Sequence, residues 1–214
     1  MPAAPAGGSI VVMIAGIVLG AGSARRMGRP KQTLPLGATT LLRWVVADAA
    51  GSCLERVVVV ADPDAAAGAG QSAGRPVEVV APSADGDGCT RSILTGLDAA
   101  GGCDAVMLVL GDMPGVDAGL IGQLCRDWER LRPWAQVTAY DDGDGHPLIF
   151  SREAFADLRG LRGDRAVWKL LDTRRERVVR APVERARPLD VDTWDDYLEV
   201  VAALAPATEL PARP

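Results

Sequence analysis

Histidine, lysine and aromatic residues are scarce in this 214-residue chain. It holds one histidine (His146), two lysines (Lys31 and Lys169) against 21 arginines, and only 4% aromatics. One histidine leaves no material for a histidine-built zinc centre. The four cysteines, Cys53, Cys89, Cys103 and Cys125, lack C-x-x-C spacing, so neither a zinc ribbon nor a disulfide framework is expected. They read as reduced, mostly buried thiols of a cytoplasmic protein. The net charge of −5 lacks the basic footprint of a nucleic-acid binder. The most apolar stretch, residues 10–19, is short and interrupted by glycine, so no membrane span or signal peptide is expected. What remains is 48% apolar and 24% charged, the balance of a globular chain long enough to bury a core.

Short β-branched runs alternate with amphipathic stretches. Residues 11–19, 56–61, 76–81 and 104–110 read as strands, the second carrying four consecutive valines as a strand buried on both faces does. Residues 40–50, 91–100 and 117–131 read as helices. Gly101-Gly102 ends the second, and Leu120, Ile121, Leu124 and Trp128 share one face of the third. Strands are expected at 135–140 and 148–150 around the polar turn 141–145, with helices at 152–158, 165–171 and 193–204. The alternation implies an α/β fold: one three-layer α/β/α domain with a mostly parallel, Rossmann-like sheet, over residues 14–204. Residues 1–13 and the proline-bearing tail 205–214 are expected to be disordered. Ligands of such sheets bind beyond the carboxyl ends of the strands, which brings the loops after Leu19 and Leu110 near one another.

The first of these loops is the most informative segment. Leu19-Gly20-Ala21-Gly22-Ser23-Ala24-Arg25-Arg26-Met27-Gly28-Arg29-Pro30-Lys31 joins an apolar strand to a glycine-rich turn and then to cations. Gly20 and Gly22 are suited to positive φ or to close backbone approach of a ligand. Successive N–H groups in such a turn bind anions. Arg25 stands where a dinucleotide fingerprint needs its third glycine, and the Gly22 to Gly28 spacing fails the Walker pattern. A lysine in a chain that otherwise uses arginine points to a compact ammonium rather than a guanidinium fork. Taken alone, the loop is equally consistent with a strand-to-helix connection that binds nothing. Asp112, in Leu110-Gly111-Asp112-Met113-Pro114, suits magnesium by its fixed place past a buried strand, and suits a turn cap equally well.

The loop resembles the L-A-A-G-x-S-x-R-M-G-x-x-K signature of the nucleotidyltransferases related to molybdopterin cytidylyltransferase. Arg26, Met27, Gly28 and Lys31 fall in register. Gly20 replaces the first alanine, and Ala24 stands where serine is usual. Further segments resemble the same family. Gly111-Asp112-Met113-Pro114 matches its metal-binding strand end. Asp190-Val191-Asp192-Thr193 matches D-[IV]-D-T, with Trp194 in place of proline. Gly88 and Ser92 match G-x-x-x-S, with Cys89-Thr90 between them in place of the commoner Met-Ser. Gly145-His146-Pro147 matches G-H-P, and Gly163-Asp164-Arg165 matches G-D-[KR], with Ala166 for glycine.

The resemblance implies the nucleotide-diphospho-sugar transferase type of fold and a Mg²⁺-dependent transfer of a nucleoside monophosphate. Arg26 and Lys31 become the catalytic cations. Leu19, Gly20, Ala21, Gly22, Ser23, Gly88 and Ser92 line the nucleotide, Asp112 and Asp192 hold Mg²⁺, and His146 and Arg165 face the acceptor. Ala21 matches the A-A-G form of cytidylyltransferases, so CTP is expected over GTP. The implied acceptor is molybdopterin or molybdenum cofactor, and a molybdenum hydroxylase is a partner of the product. Nucleic acid and membrane are not expected as partners. A sugar phosphate or methylerythritol phosphate is the alternative acceptor. A non-catalytic accessory protein that binds nucleotide or molybdenum cofactor is the alternative of another class. Thr193, or Asp192 itself, is equally suited to cap the last helix, with Asp195 and Asp196 in its first turn.

Overall fold

The computed structural model describes residues 12–22, 27–69, 76–83, 88–163 and 165–213. The chain runs β1 (Ile14–Leu19), a short hairpin of β2 (Pro35–Leu36) and β3 (Thr39–Thr40), α1 (Leu41–Ala50), β4 (Arg56–Val60), β5 (Val77–Val80), α2 (Gly88–Ala100), β6 (Ala105–Leu110), α3 (Ala118–Leu131), β7 (Ala135–Tyr140), β8 (Gly143–Ser151), α4 (Phe155–Arg159), α5 (Ala166–Thr173), β9 (Val178–Pro182) and α6 (Trp194–Leu204).

Seven strands form one sheet in the order β5-β4-β1-β6-β8-β7-β9. All pairings are parallel except the two made by β8, which runs against β6 and β7. The sheet is thus mostly parallel, as expected.

Alternation along the buried strands builds the layers. Ile14 and Val18 of β1, Val57 and Val59 of β4, and Met107 and Val109 of β6 face α1 and α3, whose Val45, Val46, Ile121, Leu124 and Trp128 join the same core. Ile17, Val58, Val60, Val106 and Leu108 face the opposite way, against Ile93 and Leu97 of α2 and Leu158, Val167 and Leu171 of α4 and α5. Such strands, buried on both faces, need helices on both sides. A third, smaller core joins Met27, Leu34, Leu36 and Leu41 to Trp194, Tyr197 and Val201 of α6.

Several elements differ from the sequence expectation. α2 begins at Gly88, three residues before the expected start at 91, with Gly88 at φ +52°. β8 runs from Gly143 through the expected polar turn to Ser151, and β9 and the β2–β3 hairpin were not anticipated. The segment after residue 204 lies against the body: Thr208 is buried and its hydroxyl accepts from the Gly37 N–H at 2.8 Å. At the other end residues 1–11 lie outside the described residues, while the Met13 N–H donates to Asp104 Oδ2 at 3.0 Å. Cys103 and Cys125 are buried, but Cys53 and Cys89 are exposed. Among the described residues no helix is long and apolar enough to cross a membrane.

Candidate active site

Two parallel strands, β1 and β6, end side by side and deliver the site. Each is followed by glycine. Neither Gly20 nor Gly22 takes positive φ. A Cβ on Gly20 would lie 2.9 Å from Leu42 Cδ1 and 3.2 Å from the Ala61 Cβ; one on Gly111 would lie 2.9 Å from the same Leu42 methyl and 3.0 Å from the Gly20 Cα. Close packing of two strand ends around one leucine therefore demands glycine at 20 and 111. The Gly22 carbonyl accepts from Gln32 Nε2 at 2.9 Å, which ties the start of the loop to the segment beyond it. Ser23 and Arg26 lie outside the described residues. Met27, buried in the third core, anchors the far side of the loop to α6.

The carboxylate at the end of β6 meets the lysine of the loop. Lys31 Nζ lies 2.6 Å from Asp112 Oδ2 and 2.8 Å from Asp192 Oδ1. The lysine side chain is 9% exposed, that of Asp112 23% and that of Asp192 52%. A backbone bond from Val191 N–H to the Asp112 carbonyl at 2.9 Å brings Asp192 to this place. The next residues complete the fixing. Thr193 is the N-cap of α6 in a full capping box with Asp196, and the Asp196 carboxylate also accepts from the Asp192 N–H at 3.1 Å. The cap thus falls to Thr193 and leaves the Asp192 side chain for Lys31. Asp112 makes no capping bond, and its Oδ1 is buried without a partner.

Burial pushes the Lys31 ammonium toward neutrality, but Asp112 and Asp192 together outweigh it and leave its pKa raised. Burial pushes the Asp112 carboxyl up; Lys31 opposes this, and the nearby charge of Asp190 adds to it. Two carboxylates share one ammonium, leaving one negative charge in excess and one bare carboxylate oxygen. An oxygen-only donor set of this kind fits a hard divalent cation that draws its remaining ligands from phosphate and water. Among the described residues no group of three or more His, Cys, Asp or Glu side chains is placed to hold a metal by itself.

Beside Asp112 opens a cavity of about 450 Å³, lined by Leu19, Ala21 and Gly22 from the first loop, Gly88, Cys89, Arg91 and Ser92 from α2, and Gln32 and Leu110. The expected nucleotide residues that lie within the described chain therefore converge, except Gly20. Gly20 instead borders a second hollow of about 720 Å³, which shares Gly22 and Gln32 with the first and has Asp62 and Asp64 on its wall. The sequence reading missed Gln32 and Arg91.

β8 runs backward, so its first residues, not its last, reach this edge of the sheet. His146 lies there, with Nδ1 3.4 Å from the Leu108 carbonyl and its ring edge-on to Trp168 of α5 at 5.9 Å. Burial lowers its pKa to about 4, against smaller raising effects from the Leu108 carbonyl and Asp190. The imidazole is neutral at physiological pH. Arg165 is exposed at the head of α5, and no hydrogen bond or ion pair joins its side chain to Lys31, Asp112 or Asp192.

Comparison with known proteins places the fold in a family. The MobA-like NTP transferase domain matches residues 16–179, a range that stops short of Asp192. A curated relative from Mycobacterium tuberculosis H37Rv, named a probable molybdenum cofactor guanylyltransferase, is 36% identical over 147 residues, covering 64% of this chain and 66% of the relative. The chain thus spans just under two thirds of the length of the curated relatives it matches. The crystal structure of Rv0371c from the same organism superimposes with a TM-score of 0.76 at 34% identity, covering 89% of this chain and 98% of that one. Rv0371c in complex with manganese gives 0.71 at 33% identity over the same shares. The domain match takes in β1, the glycine-rich loop and Asp112 with most of the sheet, and on that ground the chain belongs to the MobA-like NTP transferase family of nucleotidyltransferases.

Proposed function

We propose that this protein transfers a nucleoside monophosphate from an NTP to the phosphate of a molybdopterin-type acceptor, with CTP as the nucleotide and Mg²⁺ as the metal. The observation that carries the reading is the Lys31 ammonium shared by Asp112 and Asp192, with Asp112, one of whose oxygens has no partner, on the wall of a cavity of nucleotide scale. An oxygen of the acceptor phosphate attacks the α-phosphorus. The bond to the β-phosphate oxygen breaks, and pyrophosphate leaves. Such transfers depend on position and charge neutralisation rather than on a covalent intermediate.

Asp112 and Asp192 would hold the metal, which when bound neutralises phosphate charge. Lys31 and Arg26 counter the charge that grows on the leaving pyrophosphate. Backbone N–H groups of the Gly20 to Ser23 loop bind phosphate oxygens, and Gln32 keeps the Gly22 end of that loop in place. The neutral His146, together with Arg165, belongs to the acceptor side. The structure of Rv0371c in complex with manganese supports a divalent metal as the cofactor. Ala21 supports CTP. The guanylyltransferase name of the curated relative favours GTP and makes it the second reading.

The test is pyrophosphate release with Mg²⁺ and molybdenum cofactor, comparing CTP with GTP. A clear preference for GTP overturns the cytidylyl assignment. Asp112→Ala is expected to abolish metal-dependent turnover while circular dichroism stays unchanged. Tight binding of molybdenum cofactor by a wild-type protein that turns over no NTP would instead establish a non-catalytic carrier.

A further inference from the structure

Arg91 is out of place by the rules of helix electrostatics. It lies in the first turns of the 13-residue α2, where the helix dipole disfavours cations, and no acidic side chain stands in the first turn to offset it. Its Nε is buried with no hydrogen-bond partner, and its side chain forms no ion pair or hydrogen bond with any described residue. A buried donor left unpaired is costly unless something absent from the protein alone completes it. Arg91 lines the same cavity as Asp112, whose Oδ1 is also unpaired, yet the two form no ion pair. Arg91 and Asp112 thus stand on the wall of one cavity, each with one buried polar atom that no described residue satisfies.

We infer that Arg91 selects the nucleobase: its guanidinium donates to a base edge carrying two adjacent acceptors, and so favours cytosine and guanine over adenine and uracil. This rests on the nucleotidyl-transfer reading of the site. A guanidinium offers only donors. Guanine presents N7 beside O6, and cytosine presents N3 beside O2. On adenine and uracil each acceptor is flanked by a donor N–H or by carbon, so a donor fork meets at most one partner. The walls near Arg91 suit a flat ring. Leu19 and Leu110 are apolar, and among the described residues no atom of the surroundings lies within 4 Å of the place a Cβ on Gly88 would take. Under the nucleotidyl-transfer reading the triphosphate is already assigned Lys31 and Arg26.

The test measures dissociation constants of CTP, GTP, ATP and UTP in the presence of Mg²⁺ by calorimetry, without acceptor. Wild type is expected to bind CTP, GTP or both at least roughly tenfold more tightly than ATP and UTP, the scale of a paired donor contact to a base edge. Arg91→Gln removes that preference by weakening CTP and GTP while leaving ATP and UTP nearly unchanged. Arg91→Lys, which keeps the charge but not the fork, loses the preference as well. An equal loss for all four nucleotides in Arg91→Gln, restored by Arg91→Lys, would show a phosphate contact and overturn the inference. An unchanged order of affinities in Arg91→Gln would overturn it too. A wild type that binds no NTP would instead bring down the nucleotidyl-transfer reading itself.

Discussion

Gly20→Ala restores the residue usual in the family signature, yet the structure makes it harmful here. The backbone at Gly20 is not in the left-handed region, so alanine meets no conformational strain. Its Cβ would lie 2.9 Å from Leu42 Cδ1, 3.2 Å from Leu42 Cδ2 and 3.2 Å from the Ala61 Cβ. Optimal carbon–carbon separation is about 3.5–4.0 Å, so the closest contact is short by about 0.6 Å or more. Leu42 is fully buried and its Cδ1 is also held near Gly111, which leaves it little freedom to turn away. Overpacking by one methyl in a filled core costs about 1–2 kcal/mol. For a chain of this length that lowers the melting temperature by about 2–8 °C.

Leu42→Val withdraws both Cδ atoms and by itself costs about 1 kcal/mol for the space left behind. In the double variant the new methyl occupies that space. Denaturant melts of the four proteins therefore give a coupling of about 1 kcal/mol or more in favour of the pair. A Gly20→Ala protein as stable as wild type, or strictly additive losses, would refute the packing account of Gly20.

Other outcomes follow from the carboxylate pair, its neighbours and the buried ring. Lys31→Met leaves Asp112 without its cation and is expected to cost about 1–2 kcal/mol in denaturant melts, below the range for a fully buried pair because Asp192 is half exposed; turnover is expected to fall at least about a hundredfold by pyrophosphate release. Thr193→Ala removes the α6 cap, costs about 1 kcal/mol, and weakens metal dependence through the loosened Asp192. His146 is neutral in the fold, with its pKa lowered from about 6.5 to about 4. The unfolded chain takes up a proton between those values and the folded chain does not, so the stabilisation is full above pH 6.5 and falls as pH drops toward 4. The loss amounts to at most about 3–4 kcal/mol at 1.36 kcal/mol per unit. His146→Gln is expected to flatten that part of the stability–pH curve measured by urea melts.

The sheet was legible wherever burial on both faces wrote continuous apolar runs, as in β1, β4 and β6. It was not legible where strands carry polar residues. β8 passes through Asp144 and His146, so only its stretch at 148–150 read as strand, and β9 holds Arg180 and did not read as one. The hairpin of β2 and β3 has only two residues per strand, too few for a period to show.

The site followed a similar division. Lys31, Asp112 and Asp192 stood out through their motifs and strand-end positions, and the structure joins them. The direction of Lys31, toward carboxylates rather than into open solvent, depends on the Val191–Asp112 backbone bond, which no local pattern encodes. Gln32 is one amide with no period to mark it. Arg91 did carry a signal, a cation at the positive end of a helix whether that helix starts at 91 or at Gly88, but the missing partner of its Nε shows only in the structure.

The pairing of Asp112 with Asp192 spans the chain from the end of the central strand to the threshold of the last helix. During synthesis β1, β4 and β6 leave the ribosome well before Asp192 and the capping box of α6 exist. An unfinished chain can hold the loop and Asp112 but lacks the second carboxylate and the helix that fixes it. Under the metal-pair reading, catalytic competence therefore waits until Asp192 and α6 have been made. Partial chains, although they contain most of the sheet, are not equipped to spend nucleoside triphosphate.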